Sequence, residues 1–145
     1  MRKNKICALQ HAINKVVLDW CCSMVIIIQK SPLFYLRVKM KEYHGSCHCG
    51  GVCFSFSGAE IVRGLKCNCS ICLRKGAIMT DYLLDPSALH YEAKNNCLAT
   101  YQFCSQVAKH YFCNKCGIYT FHESLRNPGH FRINIGCIAE ILIVA

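Results

Sequence analysis

The chain has 145 residues, of which 53% are apolar and 17% are charged. This length corresponds to a single domain, and the composition excludes an intrinsically disordered chain. Fourteen cysteines indicate either a disulfide framework or metal binding. Near the N-terminus, no apolar run ends in a small-residue cleavage site, so nothing directs the chain to an oxidising compartment. We therefore expect a cytoplasmic protein with reduced thiols.

Residues 1–39 differ from the rest because they carry seven Lys/Arg against one acid, whereas the remainder carries ten against seven. Their most apolar part, residues 16–28, would make a helix of about 20 Å, too short for a hydrocarbon core of about 30 Å. It is either a membrane-surface or anchor helix, or an extension that is added or poorly ordered. We favour the second interpretation. Residues 1–39 are therefore predicted to lie outside the core, and no membrane partner is expected.

Residues 40–145 are predicted to form the folded domain, which consists of short strands separated by turns. The segment "VCFSFS" (residues 52–57) alternates apolar and small residues, as in a strand with one buried face. Further segments of strand length are rich in β-branched and aromatic residues. We expect an all-β domain of short antiparallel strands with further strands in 77–84, 98–103, 107–113, 118–122 and 130–137.

Seven of the cysteines fall into groups with the spacing of metal ligands. Thiolates that converge from short loops suit zinc, and a zinc site with four protein ligands is structural, whereas one with three leaves a position for chemistry. Two pairs can close a four-thiol site that joins the start of the domain to a hairpin more than sixty residues later. The loop "KCNCSICLRKG" supplies a further trio. The sequence therefore predicts two zinc ions per chain, a structural one at Cys47, Cys49, Cys113 and Cys116 and a catalytic one at Cys67, Cys69 and Cys72.

The net charge of +9 would suggest nucleic acid as a partner if it belonged to the folded domain. Most of it lies in residues 1–39. Seven thiolates and two zinc ions would bring the rest close to neutral. Nucleic acid is therefore not an expected partner.

Four motifs together resemble the glutathione-dependent formaldehyde-activating enzyme family, which includes relatives of centromere protein V. They are "HGSCHCGGVCFSF", "CNCSICLRKG", "HYFCNKCGIYTFH" and "NPGHFRINIGC". The resemblance implies a β-tent-like fold with two zinc sites and the division of seven cysteines given above. It also implies a carbon–sulfur lyase that condenses formaldehyde with glutathione, or with a similar small thiol, to S-(hydroxymethyl)glutathione.

The alternative function is a zinc-stabilised module that binds another protein without catalysis. A near-neutral domain argues against this alternative, since an electrostatic partner would require a charged face. A basic patch would favour it, and the residues that could form one are Arg63, Lys66, Arg74 and Lys75.

Other residues near the motifs allow two interpretations each. Arg74 and Lys75 could attract the carboxylates of glutathione, but we favour a solvated basic turn. His110 and His122 could move a proton, but we favour hydrogen-bonded structural histidines. Three cysteines in strand-like segments are predicted to be small buried side chains, namely Cys53, Cys104 and Cys137.

Overall fold

The computed structural model of the chain describes residues 25–27 and 39–141. Within these residues the secondary structure consists of ten short strands, one α-helix and three 3-10 turns. The turns are Pro86–Ala88, Lys94–Asn96 and Ile135–Cys137. The strands are β1 (Val25–Ile27), β2 (Met40–Ser46), β3 (Val52–Ala59), β4 (Arg63–Leu65), β5 (Met79–Thr80), β6 (Leu89–Ala93), β7 (Leu98–Tyr101), β8 (Lys109–Cys113), β9 (Tyr119–Glu123) and β10 (Phe131–Ile133); the helix α1 is Ser70–Lys75.

The strands form three antiparallel sheets with the orders β2-β3-β6, β10-β9-β8-β7 and β1-β4-β5. Short hairpins and turns connect most neighbouring strands, which is why the pairing is antiparallel. The prediction of an all-β domain of short antiparallel strands is confirmed.

The core lies between the first two sheets and follows the alternation read from residues 52–57. Val52, Phe54 and Phe56 are buried, while the residues between them are half-buried. The ring of Phe54 meets the ring of Phe121 edge-on, at 6.0 Å between centroids and 82° between planes. This contact joins β3 to β9. Burying a side chain of this size stabilises the fold by about 1.5–3 kcal/mol.

Backbone contacts attach the small third sheet and the C-terminal segment to the domain. The Ile135 amide donates to the Ile78 carbonyl at 2.8 Å, which ties the chain after β10 to the start of β5. The Ala139 amide donates to the His44 carbonyl at 2.8 Å, beside a bridge between Gly45 and Ile138. The C-terminal segment therefore packs along β2.

The N-terminal 39 residues are described only at Val25–Ile27 and at residue 39. Val25 pairs with Leu65, so these three residues form a strand at the edge of the third sheet. They fall within the segment for which a surface helix was one alternative, and at these positions that alternative is wrong. The rest of the segment lies outside the described residues, and the domain boundary at residue 40 stays a prediction. Across the described ranges, no helix is both long and apolar enough to span a membrane.

Several local elements differ from the sequence prediction. The loop that carries the cysteine trio continues into helix α1, which ends at Gly76 with a left-handed φ of 64°. Residues 77–84 form only the two-residue strand β5. Cys104 is exposed in a turn after β7 and is disulfide-bonded, so its prediction as a buried thiol is wrong. Cys53 is half-buried on the outer side of β3, whereas Cys137 is buried as expected.

Candidate metal centres

Four cysteines from two distant turns bring their Sγ atoms together at one end of the core. Cys47 follows β2, Cys49 lies in the next turn, Cys113 ends β8, and Cys116 precedes β9. Their Sγ atoms all lie within 4.8 Å of one another. Cys49 Sγ is 3.6 Å from both Cys47 Sγ and Cys113 Sγ. Tetrahedral zinc with bonds of about 2.3 Å would hold its sulfurs about 3.8 Å apart, so the spacing fits that metal.

Tight turns aim both pairs of thiols into this site. The Cys47 amide donates to the Val52 carbonyl at 2.9 Å, and the Gly117 amide donates to the Cys113 carbonyl at 2.8 Å. Gly117 has a φ of 74°, a conformation that glycine adopts without strain. The Val52 amide also donates to Cys47 Sγ at 3.3 Å. Amide donors of this kind stabilise thiolates, and the N–H of Ile118 lowers the pKa of Cys116 to about 6.

A fifth thiol, that of Cys97, lies beside this site. Cys97 is fully buried, and a Cβ added to Gly51 would lie 2.8 Å from Cys97 Sγ and 3.3 Å from Cys49 Sγ. Burial raises the pKa of Cys97, which favours the neutral thiol. Cys97 therefore packs as a small apolar group. This neighbour was not predicted, since no motif spacing links Cys97 to the four ligands.

The second cluster consists of Cys67, Cys69 and Cys72, whose Sγ atoms also lie within 4.8 Å of one another. Cys69 is the N-cap residue of α1, with extended φ and ψ of −66° and 161°, and Cys72 lies in the first turn of the helix. The Cys69 amide lies 3.5 Å from Cys67 Sγ. Hydrogen bonds from Cys67 and Cys72 hold the pKa of Cys69 well below its usual range. This donor set suits zinc, and the described residues supply three ligands here.

Helix α1 places its two basic residues in opposite environments. Arg74 is exposed, and its guanidinium donates to the Ser70 carbonyl at 2.7 Å. Lys75 turns inward, and its Nζ atom is buried 3.6 Å from the centre of the Tyr119 ring. Burial lowers the pKa of Lys75 to about 8. The solvated basic turn is therefore correct for Arg74 and wrong for Lys75.

The four-residue basic patch that would favour a binding module does not form. Lys75 is turned inward, and Arg63 makes an ion pair with Asp81. Arg63, Lys66 and Arg74 are all exposed, but Asp81 offsets the charge of Arg63.

Tyr119 links two histidines near the second cluster, of which His110 is buried and His122 is half-buried. Its hydroxyl lies 2.6 Å from His122 Nδ1 and 3.3 Å from His110 Nδ1. Burial lowers the pKa of His110 to about 4 and that of His122 to about 3, so both imidazoles are neutral at physiological pH. The tyrosine hydroxyl can donate to one histidine while it accepts from the other.

A cavity of about 600 Å³ lies between the end of helix α1 and the turn that follows Cys116. One wall comes from the end of α1 and the residues that follow it, and another comes from the turn after Cys116. Apolar and aromatic side chains dominate the lining, which includes Lys75, Ile78, Tyr101, Phe112, Ile118 and Tyr119. A pocket of this size and character can hold a small organic molecule.

These features define an all-β protein with two thiol clusters that can each hold a metal ion. The chain belongs to the glutathione-dependent formaldehyde-activating enzyme family, whose family model matches residues 42–143. That range contains all seven cysteines of the two clusters. The chain is also similar to a Rhodobacter sphaeroides protein of known crystal structure, with 34% sequence identity and a TM-score of 0.60. The similarity covers 68% of this chain and 90% of that one.

Proposed function

We propose that the protein is a zinc-dependent carbon–sulfur lyase that condenses formaldehyde with glutathione, or handles a related thiol adduct. The proposal rests on the different numbers of thiols in the two clusters, four in one and three in the other. Membership of a family named for formaldehyde and glutathione supplies the substrate class. The apolar cavity at the C-terminal end of helix α1, the helix that carries Cys72, supplies a place for the organic part of a substrate.

The number and position of the ligands assign a structural role to one zinc site and a catalytic role to the other. Cys47, Cys49, Cys113 and Cys116 would hold a structural zinc, since four protein thiolates complete a tetrahedron. Cys67, Cys69 and Cys72 would hold the working zinc, because three thiolates leave a coordination position for a substrate. Two zinc ions per chain are therefore proposed.

The reaction joins a thiol sulfur to the carbonyl carbon. The C–S bond forms, the C=O double bond becomes a C–OH single bond, and the thiol proton is replaced by a proton on the new hydroxyl. Zinc held by three thiolates would supply a position that lowers the pKa of an incoming thiol, which is about 8.5 when free. The protein contributes orientation, since the trio and the cavity at the end of α1 would hold thiol and aldehyde side by side.

The environment of the cysteines supports a cytoplasmic enzyme. In residues 39–141, ten of the eleven cysteines are free thiols, and Cys104 is the one that is disulfide-bonded. Thiols persist in this state in a reducing compartment. Thiolates must also stay reduced to bind a metal.

The test must separate catalysis from the spontaneous reaction of formaldehyde with thiols. Exchange between ¹³C-formaldehyde and its glutathione adduct can be followed by NMR exchange spectroscopy with and without the zinc-loaded protein. We expect acceleration by the wild type and by Cys53→Ser, a control outside both clusters, and none by Cys69→Ser. A wild type that fills both sites with zinc and does not accelerate exchange would refute the lyase and favour the protein-binding module.

A further inference from the structure

The ammonium group of Lys75 occupies an unusual environment for a charge. Its Nζ atom is buried, and within residues 39–141 it finds no hydrogen-bond acceptor. It lies 3.6 Å from the centre of the Tyr119 ring, a cation–π arrangement that compensates part of the lost hydration. A buried ammonium normally has an anionic partner as well, because desolvation without one is strongly unfavourable.

No carboxylate in the described part of the chain is paired with Lys75. The four ion pairs found there involve His44 twice, Arg63 and Lys109. The two histidines that contact the Tyr119 hydroxyl have a lowered pKa and supply no negative charge. The ionisable groups that act on Lys75 are the thiols of Cys72 and Cys69, which would be thiolates with a metal bound.

Helix geometry explains why Lys75, and not Arg74, faces the trio. Lys75 follows Cys72 by three positions, and residues at this spacing lie on the same face of a helix. Arg74 follows Cys72 by two positions, faces away and is exposed. The left-handed cap at Gly76 ends the helix directly after Lys75.

We propose that Lys75 is the counter-charge of the three-thiol site and makes an anionic thiolate, rather than a neutral molecule, its preferred fourth ligand. Three thiolates with one divalent zinc carry a formal charge of −1, and a fourth thiolate makes that charge −2. The nearby ammonium offsets part of that charge in a poorly hydrated setting, where charges interact more strongly than in water. Lys75 thereby acts as a positioning residue through the ligand. This inference rests on the proposed metal site at the trio.

The test compares Lys75→Met, Lys75→Arg and the matched control Arg74→Met in the full chain. Cobalt(II) serves as a spectroscopic probe, since thiolate-to-cobalt absorption reports each site and shifts when a further thiolate binds. Cobalt affinity of the trio is measured by competition with a chelator, and glutathione is then titrated at pH 7. Occupancy of the four-thiol site reports folding.

We expect Lys75→Met to weaken both cobalt and glutathione binding at the trio by about tenfold or more. Lys75→Arg should retain most of both affinities, and Arg74→Met should leave them unchanged. Equal affinities in Lys75→Met and the wild type would overturn the inference and leave the lyase proposal intact. Equal losses in Arg74→Met and Lys75→Met would also overturn it, because the effect would then be one of overall charge. A wild-type trio that binds no cobalt and no zinc would overturn both proposals.

Discussion

Loss of one ligand from the four-thiol site should destabilise the folded domain far more than loss of one ligand from the three-thiol site. Cys49 and Cys113 are separated by 64 residues, so a metal that joins their turns closes a long loop. With the chain-entropy relation for cross-links, a loop of this length is worth about 4 kcal/mol, whereas the six-residue span of the trio is worth about 2 kcal/mol. Small domains have total stabilities of about 5–15 kcal/mol. Cys113→Ser should therefore leave the domain close to unfolding, and Cys69→Ser should leave it folded.

Urea unfolding of the zinc-loaded proteins, followed by circular dichroism, measures the difference. Cys113 is fully buried, so its replacement also places a hydroxyl in the core. Cys49→Ser is the control for this effect, because Cys49 is an exposed member of the same cluster. We expect Cys49→Ser to lose at least 2 kcal/mol more than Cys69→Ser. Equal losses for these two variants would refute the assignment of a structural and a working site.

Three further predictions concern packing and pH. Gly45→Ala should lower stability by about 1–3 kcal/mol, since the new Cβ would overlap the ring of Phe54; an unchanged melting temperature would contradict this. Burial alone would raise the pKa of Glu123, but its ion pair with Lys109 at 2.9 Å contributes to a net lowering. Glu123→Gln should therefore cost about 1 kcal/mol at pH 7, and the difference from wild type should disappear as the pH falls below about 4. His110 and His122 both have a lowered pKa, so wild-type stability should fall as the pH drops below about 6.5, by up to about 1.4 kcal/mol per pH unit for each. Replacing both with Gln should flatten this slope relative to wild type in thermal melts, and an unchanged slope would count against imidazoles that are neutral in the folded state.

The sequence predicted the strand pattern where side chains alternate strictly. In β3, the order of Val52, Phe54 and Phe56 is visible because one face is buried and the other holds small residues. Strand β6 was not predicted, since three of its five residues are exposed and no alternation is apparent. Helix α1 has only six residues, which is too short to establish a 3.6-residue period. Its start at Cys69 also lacks a side-chain cap that a sequence could reveal.

The grouping of thiols was accessible from the sequence for a simple reason. Ligands that lie one to three residues apart must share a site, and two such pairs suffice for a tetrahedron. The residues that surround each cluster could not be predicted from spacing. Cys97 approaches the four thiols through strand pairing, and Lys75 meets Tyr119 across two separate elements. Long-range contacts of this kind depend on tertiary packing. The one local signal that Lys75 faces the trio was its spacing of three residues from Cys72. That spacing is informative only when the segment is known to be helical.

We propose above all that the chain holds one complete and one incomplete thiolate site. Zinc per chain, measured by elemental analysis on protein purified under reducing conditions, tests it most directly. We expect two zinc ions in the wild type and one in a folded Cys69→Ser variant, with the weaker zinc of the wild type perturbed by added glutathione. One tightly held zinc in both proteins, unaffected by glutathione, would contradict the claim, since the trio would then be a metal-free loop.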